Sequence, residues 1–386
     1  MRIIPYGRQW VDASDIREVI KVLKSDWLTQ GPKIKEFEDD LCKYTGAKYA
    51  VAVSSGTAAL HIACLAADIK RGDEVITSPI TFVASANSIL YCGGKPVFAD
   101  IQKDTVNIDP EEIKKKISPE TKAIIPVHFA GHPCDLEEVK EIAEKHNLLI
   151  IEDAAHALGA EYKKSKIGSC KYSDMTIFSF HPVKHITTGE GGAVLTNQKD
   201  LYQRLLLFRN HGITRKKEKM ASYDGPWYYE MQKLGFNYRI TDLQCALGIN
   251  QLKKLEKYIE RRRELVSIYD KELSKIDKII LPVEKPYVKS SWHIYYIRLK
   301  NASKRRLIFE ELQKSGIGVQ VHYIPVYLQP YYQKNFGYKV GDYPKAEDYY
   351  QSTITLPLYP KMMNSEIQYV INILKSHNNR RLSRTL

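Results

Sequence analysis

The stretch LEEVKEIAEKHNLLIIED, residues 136–153, changes its hydrophobic period part-way along. Over Leu136–His146 the apolar residues Leu136, Val139, Ile142 and Ala143 share one face of a helix, and the charges take the other. The next run, residues 148–153, is almost wholly apolar, the pattern of a strand covered on both faces, and it stops on the acidic pair Glu152 and Asp153. A helix feeding such a strand is one unit of a βαβ series. It places Asp153 at the carboxyl edge of a parallel sheet, where folds of this kind bind ligands.

The same alternation extends in both directions, from about residue 49 to 200. Candidate strands at residues 49–54, 74–77, 96–100, 123–127, 148–153, 175–180 and 193–196 predict a large α/β domain with a mainly parallel sheet. Residues 201–211 read as a further helix. Residues 214–220 and 226–229 form a charged, then aromatic, loop of the size used for lids and binding elements or left disordered. From residue 241 to about 276 the pattern is helical, with room for a break. Beyond it a strand at 292–299, a helix at 304–314, a strand at 318–323 and a helix near 366–375 predict a smaller C-terminal α+β domain. The division falls at 1–250 and 251–386, with a mobile basic tail over 377–386.

Composition narrows the function classes. With 386 residues, 44% of them hydrophobic, the chain can bury a substantial core, which excludes a disordered or fibrous protein. The net charge of +13 would suit a phosphorylated ligand or a nucleic acid. The basic residues, however, are interleaved with acidic ones on helix faces, as in EEIKKK at 111–116, and no basic stripe or nucleic-acid motif is present, so no nucleic-acid partner is expected. Cys42, Cys64, Cys92, Cys134, Cys170 and Cys245 lie far apart with no metal-ligand spacing; they read as reduced thiols, with no metal site. The N-terminal MRIIPYGR has no apolar leader and no stretch is long enough to cross a bilayer, so the expected location is cytoplasmic, away from membranes.

Three segments carry chemistry. SSGTAAL, residues 54–60, follows a strand and opens a helix, so its backbone N–H groups and hydroxyls suit a phosphate, although Ser-Gly-Thr is equally an ordinary N-cap. Asp153 would meet a cationic or N–H partner, such as a protonated pyridine nitrogen, or would cap a helix. TIFSFHPVKHITTGEGG, residues 176–192, sets Lys184 between an apolar strand and a glycine-rich turn; desolvation there lets a lysine form imines, while a lone loop lysine is normally just solvated. Together, a phosphate seat, an acid at a strand end and a lysine 31 residues after it are the set that pyridoxal 5′-phosphate requires.

At this point the sequence resembles the DegT/DnrJ/EryC1/StrS sugar aminotransferases, a family of fold-type I pyridoxal phosphate enzymes. The likeness runs in order through WLTQG (27–31), SGT (55–57), TFVAS (81–85), EDAAH (152–156), residues 179–192, GFNYRITD (235–242) and VHYIP (321–325), nearly the whole chain. The resemblance implies that Lys184 is the imine-forming lysine and that Asp153 pairs with the pyridinium nitrogen. It assigns the cofactor phosphate to Gly56, Thr57 and Ser179, with Ser55 added, sets Phe82 over the ring and His156 close by. Asn237 resembles an asparagine that reaches the phosphate of the neighbouring subunit, which implies a homodimer with shared sites. A sugar-nucleotide surface is implied at Tyr6, Asp26, Trp27, Leu28 and Thr29 and at His322, Tyr323, Ile324 and Pro325, where aromatic rings can stack and hydroxyls can bond a diphosphate.

The implied activity is a ping-pong transamination cycling between pyridoxal and pyridoxamine phosphate (PLP and PMP), with glutamate as donor. Within the family, residues 178–192 look most like the pseudaminic acid branch, which implies amination at C4 of a UDP-linked 4-keto-6-deoxy-N-acetylhexosamine. Other UDP- or dTDP-linked 3- or 4-keto sugars are the alternative, and a regulatory protein on the same fold a remoter one. The dehydratase branch carries a histidine in place of the imine lysine; here Lys184 holds that register and His185 follows it.

Overall fold

The computed structural model describes residues 3–379, with side chains to residue 376; the tail expected at 377–386 lies, from 380 onward, outside the described residues. All seven expected strands form: β1 (Tyr49–Val53), β2 (Glu74–Thr77), β3 (Lys95–Phe98), β4 (Thr121–Ile125), β5 (Leu149–Asp153), β6 (Met175–Ser179) and β7 (Gly192–Thr196). They make one sheet in the order β1-β7-β6-β5-β4-β2-β3. β2 to β6 pair in parallel, and β7 runs antiparallel to both of its neighbours. The reversal has a local cause. A parallel return needs a crossover, usually a helix, and residues 180–191 contain none. The chain therefore turns back along β6, and the turn carries Lys184.

Both faces of the sheet are covered, as the apolar runs require. Ile150, Phe178, Ala193 and Leu195 pack with Leu136, Val139, Ile142 and Ala143 of the helix Leu136–His146. Ile151, Ile177 and Val194 pack on the other face with Ala58, Ala59, Ile62 and Ala63 of the helix Gly56–Ala66. The residues expected to form a long helical stretch give two helices, Asp242–Leu252 and Leu255–Leu273. The second sends Leu255 and Ile259 into the large-sheet core, and Leu265, Val266, Tyr269 and Leu273 into a separate one. Its Arg262 is fully buried, and Nη1 donates to the carbonyls of Trp292, His293 and Leu358 at 2.9–3.2 Å.

The second core is built on a three-stranded sheet of Ile279–Ile280, Tyr295–Leu299 and Thr353–Leu356, with Tyr295–Leu299 in the centre. One expectation fails here. Residues 318–323 do not form a strand: Ile317 bridges to Ile4 and Gln320 to Thr355 as isolated pairs. Their alternation serves a different purpose, since Val319 enters the core while His322 and Tyr323 turn toward the large sheet. The place in the sheet is taken by Thr353–Leu356, which follows the helix Pro344–Ser352 directly, with no turn signal to announce it. The N-terminal segment is stitched to this unit through Ile4 and Gly318 (2.7 Å) and through Leu358 and the Tyr6 carbonyl (3.0 Å), which brings Tyr6 to the junction. Among the described residues no helix is long and apolar enough to cross a membrane.

Candidate active site

A cavity of about 460 Å³ opens at the carboxyl edge of the sheet, where β1, β5 and β6 end. Its floor is the start of the helix Gly56–Ala66. Ser55 is the N-cap, and its Oγ accepts the Ala58 N–H at 3.0 Å. The amides of Gly56 and Thr57 belong to the first turn, where helix geometry provides no carbonyl partner and the dipole is positive. Glycine is required here by close approach. A Cβ on Gly56 would lie 2.8 Å from Ser179 Cβ, and one on Gly192 would lie 2.5 Å from the Ser55 carbonyl oxygen. The helix start is thus clamped against the end of β6 and the start of β7, with the Thr57 and Ser179 hydroxyls at the cavity wall. A phosphate fits this donor set.

Asp153 ends β5 and is only 5% exposed. Its Oδ2 accepts the Ser85 hydroxyl at 2.6 Å and its Oδ1 accepts the Ala155 N–H at 3.2 Å. Lys184 reaches the same cavity from the turn after β6, where its own N–H donates to the His181 carbonyl at 2.9 Å. Burial pulls the Lys184 amine down to about 8, with the Asp153 carboxylate opposing the shift. The amine therefore spends a usable fraction of its time as the nucleophilic free base near neutral pH.

The opposite wall comes from the small-sheet side. Tyr323 Oη lies 3.2 Å from His156 Nε2, and His322 Nδ1 is 2.9 Å from Thr355 Oγ1. The Tyr6 ring lies 5.5 Å from that of His322, and Phe82, 58% exposed, stands 6.3 Å from Tyr323. Burial holds His156 neutral, its pKa far below the usual histidine value, and takes His322 down to about 4, helped by Lys184. These rings can exchange hydrogen bonds with a polar ligand without adding charge.

Of the residues singled out from the sequence, Ser55, Gly56, Thr57, Phe82, Asp153, His156, Ser179 and Lys184 share this cavity, as do Tyr6, His322 and Tyr323. Asn237, Asp26, Trp27, Leu28, Thr29, Ile324 and Pro325 do not line it. Asn237 pairs with Asn210, Thr29 pairs with Thr241, and Trp27 stands 56% exposed. Sequence reasoning passed over Thr81, Ser85, His181 and Glu190, which do line the cavity. A signal existed for the first two, because hydroxyls at i and i+4 after a strand end share one side of a helix start.

The profile of the DegT/DnrJ/EryC1/StrS aminotransferase family matches residues 9–375. The chain belongs to this family. It is 47% identical over 377 residues to the uncharacterized protein MJ1066 of Methanocaldococcus jannaschii, covering 96% of this chain and 97% of that one. It is 42% identical over 379 residues to a UDP-4-amino-4,6-dideoxy-N-acetyl-beta-L-altrosamine transaminase of Campylobacter jejuni, covering 97% of each. Among solved structures, Helicobacter pylori PseC, an aminotransferase of pseudaminic acid biosynthesis, superposes with a TM-score of 0.90 at 36% identity, over 97% of this chain and 99% of that one. The PLP-form structure of Spr1654 from Streptococcus pneumoniae gives a TM-score of 0.91 at 33% identity, over 98% of this chain and 99% of that one. As a family member the chain has the expected α/β aminotransferase fold.

The electrostatics of the family site in this chain can be read without any ligand. In apoprotein whose lysines carry ¹³C-methyl labels, the Lys184 resonance should titrate near pH 8, below those of surface lysines. Asp153→Asn removes the opposing carboxylate and should move that midpoint lower still; a midpoint in the ordinary lysine range would contradict the description.

Proposed function

We propose that the chain, a PLP-dependent sugar aminotransferase of this family, moves an amino group from glutamate to C4 of a UDP-linked 4-keto-6-deoxy-N-acetylhexosamine. The observation that carries the reading is the meeting, in one cavity, of a depressed-pKa lysine, a buried carboxylate and a glycine-gated helix start. The similarity to the Campylobacter transaminase and to PseC supports the choice of sugar.

When bound, pyridoxal phosphate supplies an aldehyde that condenses with amines and a pyridinium ring that takes up the electrons released at a neighbouring carbon. The amides of Gly56 and Thr57 and the hydroxyls of Thr57 and Ser179 would hold its phosphate. Phe82 would lie over the ring and Asp153 would pair with the ring nitrogen, keeping it protonated. Lys184 would hold the aldehyde at rest. Once free of the aldehyde, Lys184 Nζ would serve as the base that takes the proton from Cα of the donor and, in the second half-reaction, as the acid that delivers a proton to C4 of the sugar. Tyr6, His322 and Tyr323 would flank the sugar, and the neutral His156 would exchange a hydrogen bond with Tyr323 while keeping bulk water from Lys184.

Asn237 and the segment Asp26, Trp27, Leu28 and Thr29, with Ile324 and Pro325 at the rim, would serve a site shared between two copies. Exposed Ile16, Ile20, Leu23, Trp27 and Leu28 offer an apolar face for a second copy. The homodimer would complete the phosphate seat with Asn237 of the partner subunit.

Two experiments test the reading. Enzyme loaded with pyridoxal phosphate and glutamate should aminate the UDP-linked 4-keto-6-deoxy-N-acetylhexosamine in a panel of UDP- and dTDP-linked 3- and 4-keto sugars, with the product identified by mass spectrometry. Amination confined to another sugar would overturn the substrate, and turnover by Lys184→Ala would overturn the role of that lysine. Separately, Lys184→Ala and Asn237→Asp should each be inactive, and mixing them through a dissociation step should restore about a quarter of wild-type activity, because half the dimers are mixed and each has one intact site. No recovery would contradict a shared site.

A further inference from the structure

We infer that Ser85 is a positioning residue for the reaction: its hydroxyl, fixed in direction by Thr81, keeps the negative charge on Asp153 and the proton on the ring nitrogen facing it. This rests on the reading of Asp153 given above.

The hydrogen bonds run in one direction only. A carboxylate is an acceptor, so the 2.6 Å contact between Ser85 Oγ and Asp153 Oδ2 uses the single Ser85 proton. The alternative acceptor, the Phe82 carbonyl, is farther at 3.3 Å and uncharged. Ser85 Oγ also lies 2.7 Å from Thr81 Oγ1. With the Ser85 proton committed, Thr81 must be the donor there. The result is a directed chain, Thr81 to Ser85 to Asp153, whose members are 3%, 1% and 5% exposed. Ser85 is held in turn by its own N–H to the Phe82 carbonyl and by Ser88 Oγ, which donates to the Ser85 carbonyl at 2.9 Å. One turn of chain at the start of the helix Ala84–Tyr91 therefore carries both Phe82 and the group that orients the acid.

The chemical consequence follows from the acceptor. A hydroxyl donated to a carboxylate stabilises its anionic form over the neutral acid. In a buried acid–pyridine pair the shared proton can sit on nitrogen, as an ion pair, or on oxygen, as a neutral pair, and burial favours the neutral one. The Ser85 bond weights the balance toward the ion pair, which preserves the electron-withdrawing ring. The Ala155 N–H on Oδ1 adds to it and, with Ser85, fixes the carboxylate in rotation, leaving its other lone pairs toward the cavity. The other titratable groups of the cavity are Lys184, His181 and Glu190 after β6, His156 after β5, His322 and Tyr323 from the small-sheet side, and Tyr6 of the N-terminal segment; beside them stand Cys134, ahead of the helix Leu136–His146, and the Glu152–His128 pair next to Asp153 on β5. Burial keeps Tyr323 and Cys134 protonated and His156 neutral, and with Lys184 it takes His322 down to about 4.

The visible absorption of the cofactor-loaded enzyme, recorded against pH, reads this balance directly, because a ring that loses its charge makes the attached nitrogen more basic. Ser85→Ala should raise the midpoint by about one pH unit, the worth of one charged hydrogen bond, and lower kcat about tenfold with KM for glutamate little changed. Thr81→Val, which leaves Ser85 in place but undirected, should shift the midpoint the same way by less. Asp153→Asn should shift it furthest. If Asp153→Asn moves the band while Ser85→Ala and Thr81→Val leave midpoint and kcat at wild-type values, the positioning role is overturned and the reading of Asp153 stands. If Asp153→Asn leaves the band unmoved, both fall.

Discussion

The structure depends on bringing an amine and a carboxylate from different strands to one desolvated edge. Asp153 reaches it because β5 is buried on both faces and ends there. Lys184 reaches it because residues 180–191 contain no helix, so the chain must double back beside β6 instead of crossing over the sheet. Gly192 then lets β7 begin against the Ser55 carbonyl, which packs the start of the helix Gly56–Ala66 against the same edge. The antiparallel strand in an otherwise parallel sheet is thus the local geometry that places the lysine.

Desolvation does the electrostatic tuning. It pulls the Lys184 amine to about 8 and holds His156, His185 and His293 neutral, the His293 ring lying 4.3 Å from that of His156 and 5.6 Å from that of His185. A charged imidazole beside Lys184 would repel the protonated amine and push its pKa below the value that burial sets; neutral rings fill the space without adding that charge. Arg262 behind them contributes to keeping His185 and His293 uncharged while its own guanidinium is spread over three backbone carbonyls. The layers from Arg262 through the histidines to Lys184 join the two cores, so the small-sheet unit supports the site as well as walling it.

Much of this was legible in the sequence, because the large sheet is made of apolar runs with abrupt ends. The seven strands, the helix Leu136–His146 and the three chemical segments all lie along the chain with their signals intact. The failures have physical reasons. Residues 318–323 alternate like a strand because Val319 needs the core while His322 and Tyr323 need the cavity, and Thr353–Leu356 has too little pattern around it to stand out. Thr81 and Ser85 act through a contact 68 residues away in sequence, which local spacing does not reveal. Asn237, Trp27 and their neighbours do not line this chain's cavity, and the spacing of residues along a sequence does not reveal on which surface of the fold they come to lie.

The most direct measurement is covalent. Apoprotein incubated with pyridoxal phosphate, reduced with borohydride and digested should yield, by mass spectrometry, one phosphopyridoxyl-modified peptide, with the label on Lys184. Label on any other lysine, or none after saturation, would contradict the central claim that this edge of the sheet holds the reactive amine.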